Sequence, residues 1–159
     1  MNLDRDKEFL LRAVELSRKG MEGGAGGPFG CVITKDNEIV GEGYNQVTTA
    51  NDPTAHAEIV AIRNACAALG TFQLTGCTVY TSCEPCPMCL GAIYWARPLR
   101  VIYSNTREDA ASIEFDDEFI YNEIASEMEH RKIPFIHFPT NEAAHVFKEW
   151  QQIEKKIRY

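Results

Sequence analysis

The chain has 159 residues, 45% of them hydrophobic, and a formal net charge of −7. That length and apolar content suit a single domain, 1–159, with a core of its own. Nine carboxylates between Glu108 and Glu129, with no Lys or Arg among them, would repel a phosphate backbone and argue against nucleic acid as a partner.

The opening MNLDRDKEFL carries frequent charges and no apolar run. It predicts neither a secretory signal nor a membrane association, and the expected compartment is the cytoplasm. Phe9, Leu10, Ala13, Val14 and Leu16, between about Asp4 and Lys19, predict an amphipathic helix ending at Gly20. GGAGGPFG (23–30) follows, but without a GxxxxGK[ST] pattern and with a strand-like run after it, so it is not a phosphate loop. Asp36-Asn37, between FGCVIT and EIVGEGYN, predicts a hairpin turn.

After the polar NQVTTANDPT, the run AHAEIVAIRNACAAL predicts a helix from near Ala55 to Gly70. CTVYTS (77–82) reads as a strand, CPMCLGAIYWA as a helix stopped by Pro98, and LRVIYS (99–104) as a further strand. A helix around 117–128, a strand IPFIHF and a C-terminal amphipathic helix ending in KKIRY complete the pattern. Helices alternating with strands predict an α/β fold, a three-layer α/β/α sandwich around a mixed five-stranded sheet.

Six cysteines stand at 31, 66, 77, 83, 86 and 89. In a reducing compartment a tight cluster serves metal binding or catalysis better than disulfides. His56-Ala57-Glu58 opens one predicted helix, and Cys86 and Cys89 open the next. Residues three apart share a helix face, and a helix N-terminus favours thiolate. With His56 as a third donor, one tetrahedral position is left for water, the arrangement of a catalytic zinc, one Zn2+ per chain. Glu58 is then placed to take the water's proton and return it to the reacting ring. A closed structural zinc would need a fourth ligand, and Cys83 is the candidate because Cys83-x-x-Cys86 is also a CxxC. Pro85 stands between it and the helix, so Cys83 reads better as a buried or near-site thiol. On the residues alone, His56 and Glu58 are also compatible with an ordinary first helical turn.

The ordered pair HxE and PCxxC is the signature of zinc-dependent nucleobase deaminases. Together with NDPTAHAEIVAIR, TSCEPCPMCLGAIYWARP, GGPFG, FDDEFIY and a terminal Tyr, the chain resembles the bacterial guanine deaminases of the cytidine deaminase superfamily over nearly its whole length. The resemblance implies a cytidine deaminase-like fold and hydrolysis of guanine to xanthine and ammonia, with zinc-bound hydroxide attacking C2 while Glu58 shuttles protons. It also implies a homodimer in which the C-terminal segment, about 140–159, is swapped onto the partner subunit. By the same resemblance Phe29 stacks on the purine base, Asn45 hydrogen-bonds it, Trp95 forms an aromatic wall and Asp117 faces the purine edge. Tyr159 would arrive from the neighbouring chain.

Read without the resemblance, Phe29 and Trp95 also suit a core, Asn45 a turn, and Asp117 or its neighbour Asp116 a helix start. Tyr159 would be a frayed end, although Phe147, Trp150, Ile153 and Ile157 form a stripe that must bury against something. A tRNA adenosine deaminase would share HAE and PCxxC but needs a basic surface for its RNA, and a guanosine or cytosine deaminase would differ only in the pocket. A zinc-stabilised scaffold protein would have no use for Glu58.

Overall fold

The computed structural model describes residues 3–158. Two units divide the chain, one reaching to Glu118 and one from Phe119 onward. The first opens with helix α1 (Leu3–Glu22), which runs past Gly20; that glycine is buried against the Tyr44 ring, where a Cβ would come within 2.7 Å of it. Strands β1 (Gly30–Lys35) and β2 (Glu38–Tyr44) form the expected hairpin. Its turn residues Asp36 and Asn37 both adopt positive φ, at 50° and 65°, as a two-residue turn matched to strand twist requires. The polar loop after β2 contains a one-turn helix, α2 (Val47–Ala50).

Helix α3 (Ala57–Leu69) ends at Gly70, left-handed at φ 63°, with Thr71 N donating to the Cys66 carbonyl at 3.1 Å. Strand β3 (Thr78–Cys83), helix α4 (Pro87–Ala96) and strand β4 (Arg100–Asn105) follow in the predicted order. The sheet runs β2-β1-β3-β4, with β1 antiparallel to both neighbours and β3 parallel to β4.

Alternation along the central strands sorts two cores. Val32 and Tyr80 face α1 and meet Phe9, Ala13 and Leu16, whereas Cys31, Ile33 and Val79 face the other way and meet Ala57, Ala61 and Ala65 of α3 and Ala96 of α4. This gives the expected α/β/α layering. Helix α3 can lie directly on β2 because Gly41 and Gly43 face it. A Cβ at Gly43 would run into the Ala57 carbonyl and the Ala61 nitrogen. The start of α1 is fastened to the sheet by Asp6, which accepts from the Tyr80 hydroxyl at 2.7 Å and from both terminal nitrogens of Arg100 at 3.1 and 2.7 Å.

Beyond β4 come the short helix α5 (Arg107–Ala111), closed by a Thr106/Asp109 capping box, and α6 (Glu118–Ala125). Within the second unit a 3-10 turn (Met128–His130) precedes helix α7 (Asn141–Gln152).

Three expectations are corrected here. The sheet among the described residues holds four strands and not five. IPFIHF (133–138) has no regular secondary structure, and Ile133, Phe135, Ile136 and Phe138 are all exposed. Its composition favours a pleated, half-buried setting, but a strand exists only through a paired neighbour. The last helix also stops short of KKIRY, at Gln152, and Lys156 folds back so that its Nζ donates to the Trp150 and Gln151 carbonyls at 3.0 and 2.6 Å. No helix among the described residues is long and apolar enough to cross a membrane.

Candidate metal centre

His56 is the N-cap of α3 and Cys86 the N-cap of α4, both in extended conformation. Two helix N-termini therefore meet at one point, and their unpaired N–H groups make it favourable to negative charge. Pro87 at the first position of α4 fixes that start, since its missing N–H would have had no helical partner anyway. One turn into α4, Cys89 comes round to the same side.

The Cys86 and Cys89 sulfurs each lie 3.6 Å from Nδ1 of His56, and the three donor atoms fall within 4.8 Å of one another. A tetrahedral zinc with bonds of about 2.0 Å to nitrogen and 2.3 Å to sulfur would hold such atoms about 3.6 Å apart. The donors thus fit zinc in number, softness and spacing, and His56, Cys86 and Cys89 are positioned to bind it.

The three donors are tightly coupled, and Cys86 is the one held as thiolate. The Cys89 thiol, together with His56, stabilises the Cys86 thiolate and brings its pKa down to about 4. The same bond, with burial and the nearby Glu58, pushes Cys89 upward. His56 is raised, chiefly by its hydrogen bond with Cys86.

Glu58 stands in the first turn of α3 and is buried, 6% exposed. Burial pushes its carboxyl up to about 6, opposed by a hydrogen bond from its own backbone N–H. Cys83 does not join the cluster. Its Sγ donates to the Thr106 carbonyl at 3.5 Å, and burial, then Glu58, raises its pKa to about 11.

The expected substrate contacts are placed unequally. Phe29 is half-buried just before β1, packed on the cluster that contains Cys31 and Ala57, and its ring meets Phe115 edge-on at 5.0 Å. Asn45 is 4% exposed, and its Oδ1 accepts from Val47 N at 3.1 Å. Because a backbone N–H requires an acceptor there, the amide's Nδ2 is the end left to donate elsewhere. Asp117 is half-buried, and its pKa is raised by burial and then by the Cys86 thiolate, which brings it into the field of the metal donors. Asp116 is exposed and spends Oδ1 on Glu118 N at 2.9 Å, at the start of α6. Trp95 is 64% exposed, about two turns beyond Cys89 in α4. Tyr159 lies outside the described residues.

Two residues escaped the sequence reading. Glu84 Oε2 accepts from Arg107 N at 3.2 Å, and Glu84 N donates to the Asn105 carbonyl at 2.8 Å, linking the cysteine loop to α5. Its place between Cys83 and Pro85 was the available signal. Phe115 stood in view beside the two aspartates, but nothing local shows that it meets Phe29, 86 residues earlier.

A layered α/β/α fold whose two helix starts converge on one histidine and two cysteines defines a class, and the chain belongs to it. Residues 3–105 match the cytidine and deoxycytidylate deaminase zinc-binding region, and this chain is a member of that family. It is 56% identical over 151 residues to guanine deaminase of Bacillus subtilis (strain 168), covering 95% of this chain and 97% of that one. The tRNA-specific adenosine deaminase of Aquifex aeolicus (strain VF5) is 32% identical over 153 residues, 96% of each chain. The crystal structure of guanine deaminase from Bacillus subtilis matches with a TM-score of 0.93 at 55% identity, over 96% of this chain and 98% of that one. A structure of guanine deaminase from Nitrosomonas europaea gives a TM-score of 0.64 at 30% identity, over 69% and 63%.

Proposed function

We infer that this chain hydrolyses guanine to xanthine and ammonia. The observation that carries the reading is the buried Glu58 carboxylate beside the His56, Cys86 and Cys89 donors, on a chain 56% identical to a guanine deaminase. That carboxylate lies outside the donor cluster, and proton transfer is the chemistry it fits.

Zinc held by the three donors would supply water acid enough to yield hydroxide near neutral pH. Glu58 takes the water's proton and delivers it to N3 of the purine while oxygen adds at C2. The same carboxyl then takes the remaining proton from the oxygen added at C2 and passes it to the 2-amino group; the C2 carbonyl forms as the C2–N bond breaks and ammonia leaves, so guanine and water become xanthine and ammonia with all atoms balanced. Burial of Glu58 suits this double duty, because a carboxyl whose pKa is raised to about 6 both accepts and returns a proton readily.

Phe29 stacks on the base, and the Nδ2 of Asn45 donates to one of its ring or carbonyl acceptors. Asp117 accepts from ring N–H or exocyclic amine, and Trp95 provides an aromatic wall. An acceptor in that position favours guanine, whose Watson–Crick edge presents two donors, over adenine, which presents one. The enzyme is a homodimer in which the segment from about 140 to 159 sits on the partner subunit and brings Tyr159 to its site. This is supported by the exposure of Phe147 and Ile157 at 77% and 67%, apolar groups that a second surface would bury.

The test is a panel of guanine, guanosine, cytosine, cytidine, adenine and a tRNA anticodon stem loop, read by ammonia release. Guanine should be turned over far faster than the others. Preference for the stem loop would replace this reading with tRNA editing.

A further inference from the structure

We propose that Phe115 is a positioning residue for base recognition, holding the Phe29 ring and the Asp117 carboxylate in a fixed relation to each other. The inference rests on the reading above that these two groups contact the purine.

Phe115 and Phe29 meet edge to face, with ring centroids 5.0 Å apart and planes at 88°. That geometry sets the positive edge of one ring against the negative face of the other. Gly27 lies at the junction of the two rings. A Cβ there would come within 2.7 Å of the Phe115 ring and 2.9 Å of the Phe29 ring, so the contact is built around a missing side chain. Phe115 is nevertheless 45% exposed, which is a poor position for a ring whose only duty is to fill a core.

The segment that carries Phe115 is tethered at its other end to the metal-binding loop. Glu84 holds the first nitrogen of α5, Cys83 holds the Thr106 carbonyl, and Phe115 N donates back to the Ala110 carbonyl at 3.1 Å. Residues 115–117 are thus fixed to the cysteine loop on one side and, through one ring, to the Gly27–Phe29 segment on the other. Without the Phe115 ring, Asp117 keeps its tether while Phe29 loses its brace. Stacking acts equally on bound substrate and transition state, so the loss falls on KM and not on kcat.

The test uses zinc-loaded full-length protein and steady-state kinetics with guanine. Phe115→Ala should raise KM by between about two- and tenfold, the range expected for an aromatic pair, with kcat within about twofold and zinc content unchanged. Phe115→Leu, which keeps bulk without a ring edge, should behave as Phe115→Ala does and guards against a folding loss. Phe115→Tyr should restore the wild-type KM. In a Phe29→Leu background, Phe115→Ala should add little, because the brace has nothing left to hold. If Phe29→Leu raises KM but Phe115→Ala does not, or if the two effects are fully additive, Phe115 has no positioning role and the proposal is overturned. If neither variant moves KM, Phe29 does not stack on the substrate, and that reading fails together with the proposal.

Discussion

Nδ1 of His56 and Sγ of Cys86 lie 3.6 Å apart although thirty residues separate them in sequence. Each caps a different helix, so the contact exists only when α3 and α4 are both seated on the sheet. Replacing either residue should remove the metal without dissolving the layers beneath. His56→Ala and Cys86→Ala are expected to fall from about one zinc per chain to a small fraction, by elemental analysis of protein never exposed to chelator. Because the donors must be deprotonated to bind, zinc should also be lost more readily on dialysis at pH 5 than at pH 7.5. Equal retention at both values would contradict the assigned donor set.

Cys83 gives the opposite expectation. Its thiol is committed to the Thr106 carbonyl and burial keeps it protonated. Cys83→Ala should therefore keep zinc near one per chain and lose only modest stability. A variant purified without metal would make Cys83 a ligand.

Glu58→Gln preserves shape and removes the proton carrier. Zinc content and melting temperature should stay close to wild type while guanine turnover falls by roughly 10²- to 10⁴-fold. Activity within a few-fold of wild type would exclude Glu58 as the shuttle.

Asp6 makes a stability prediction remote from the metal. The Tyr80 hydroxyl, and after it Arg100, hold the Asp6 carboxyl below its ordinary range. A lowered folded pKa means that the charged form favours folding. The contribution is full above the unfolded value of about 3.9 and disappears as pH falls through the folded one. Asp6→Asn should cost about 1–3 kcal/mol near pH 7, where it leaves Arg100 short of its partner. The deficit should shrink in acid, as urea melts at pH 7 and pH 3 would show. A deficit of the same size at both would assign the loss to packing.

The tail can be tested by removing it. If the C-terminal segment completes the partner's site, deleting residues 157–159 should reduce guanine turnover more than it lowers melting temperature. An unchanged rate would leave Tyr159 with no part in catalysis.

Much of this was readable from local pattern. Asp36-Asn37 named its turn, and Gly70 and Pro98 marked the ends of α3 and α4, because turn and cap chemistry act over a few residues. The same logic failed where a segment's state depends on a remote partner. IPFIHF has strand composition but no paired neighbour among the described residues, and Lys156 folds back onto the end of α7 by a bond that no helical periodicity announces.

The sequence by itself determined the donor types and the register of the cysteines, since Cys86 and Cys89 share a face on any helix. Tertiary structure decided which groups meet. It brought His56 to the cysteines, turned Cys83 away to Thr106, gave Asp116 to a helix start while leaving Asp117 near the thiolate, and set Phe115 against Phe29. The reason is physical: side-chain chemistry and helical phase are short-ranged and written in neighbouring residues. Proximity between segments follows instead from strand order and from the glycines that let α3 settle onto β2.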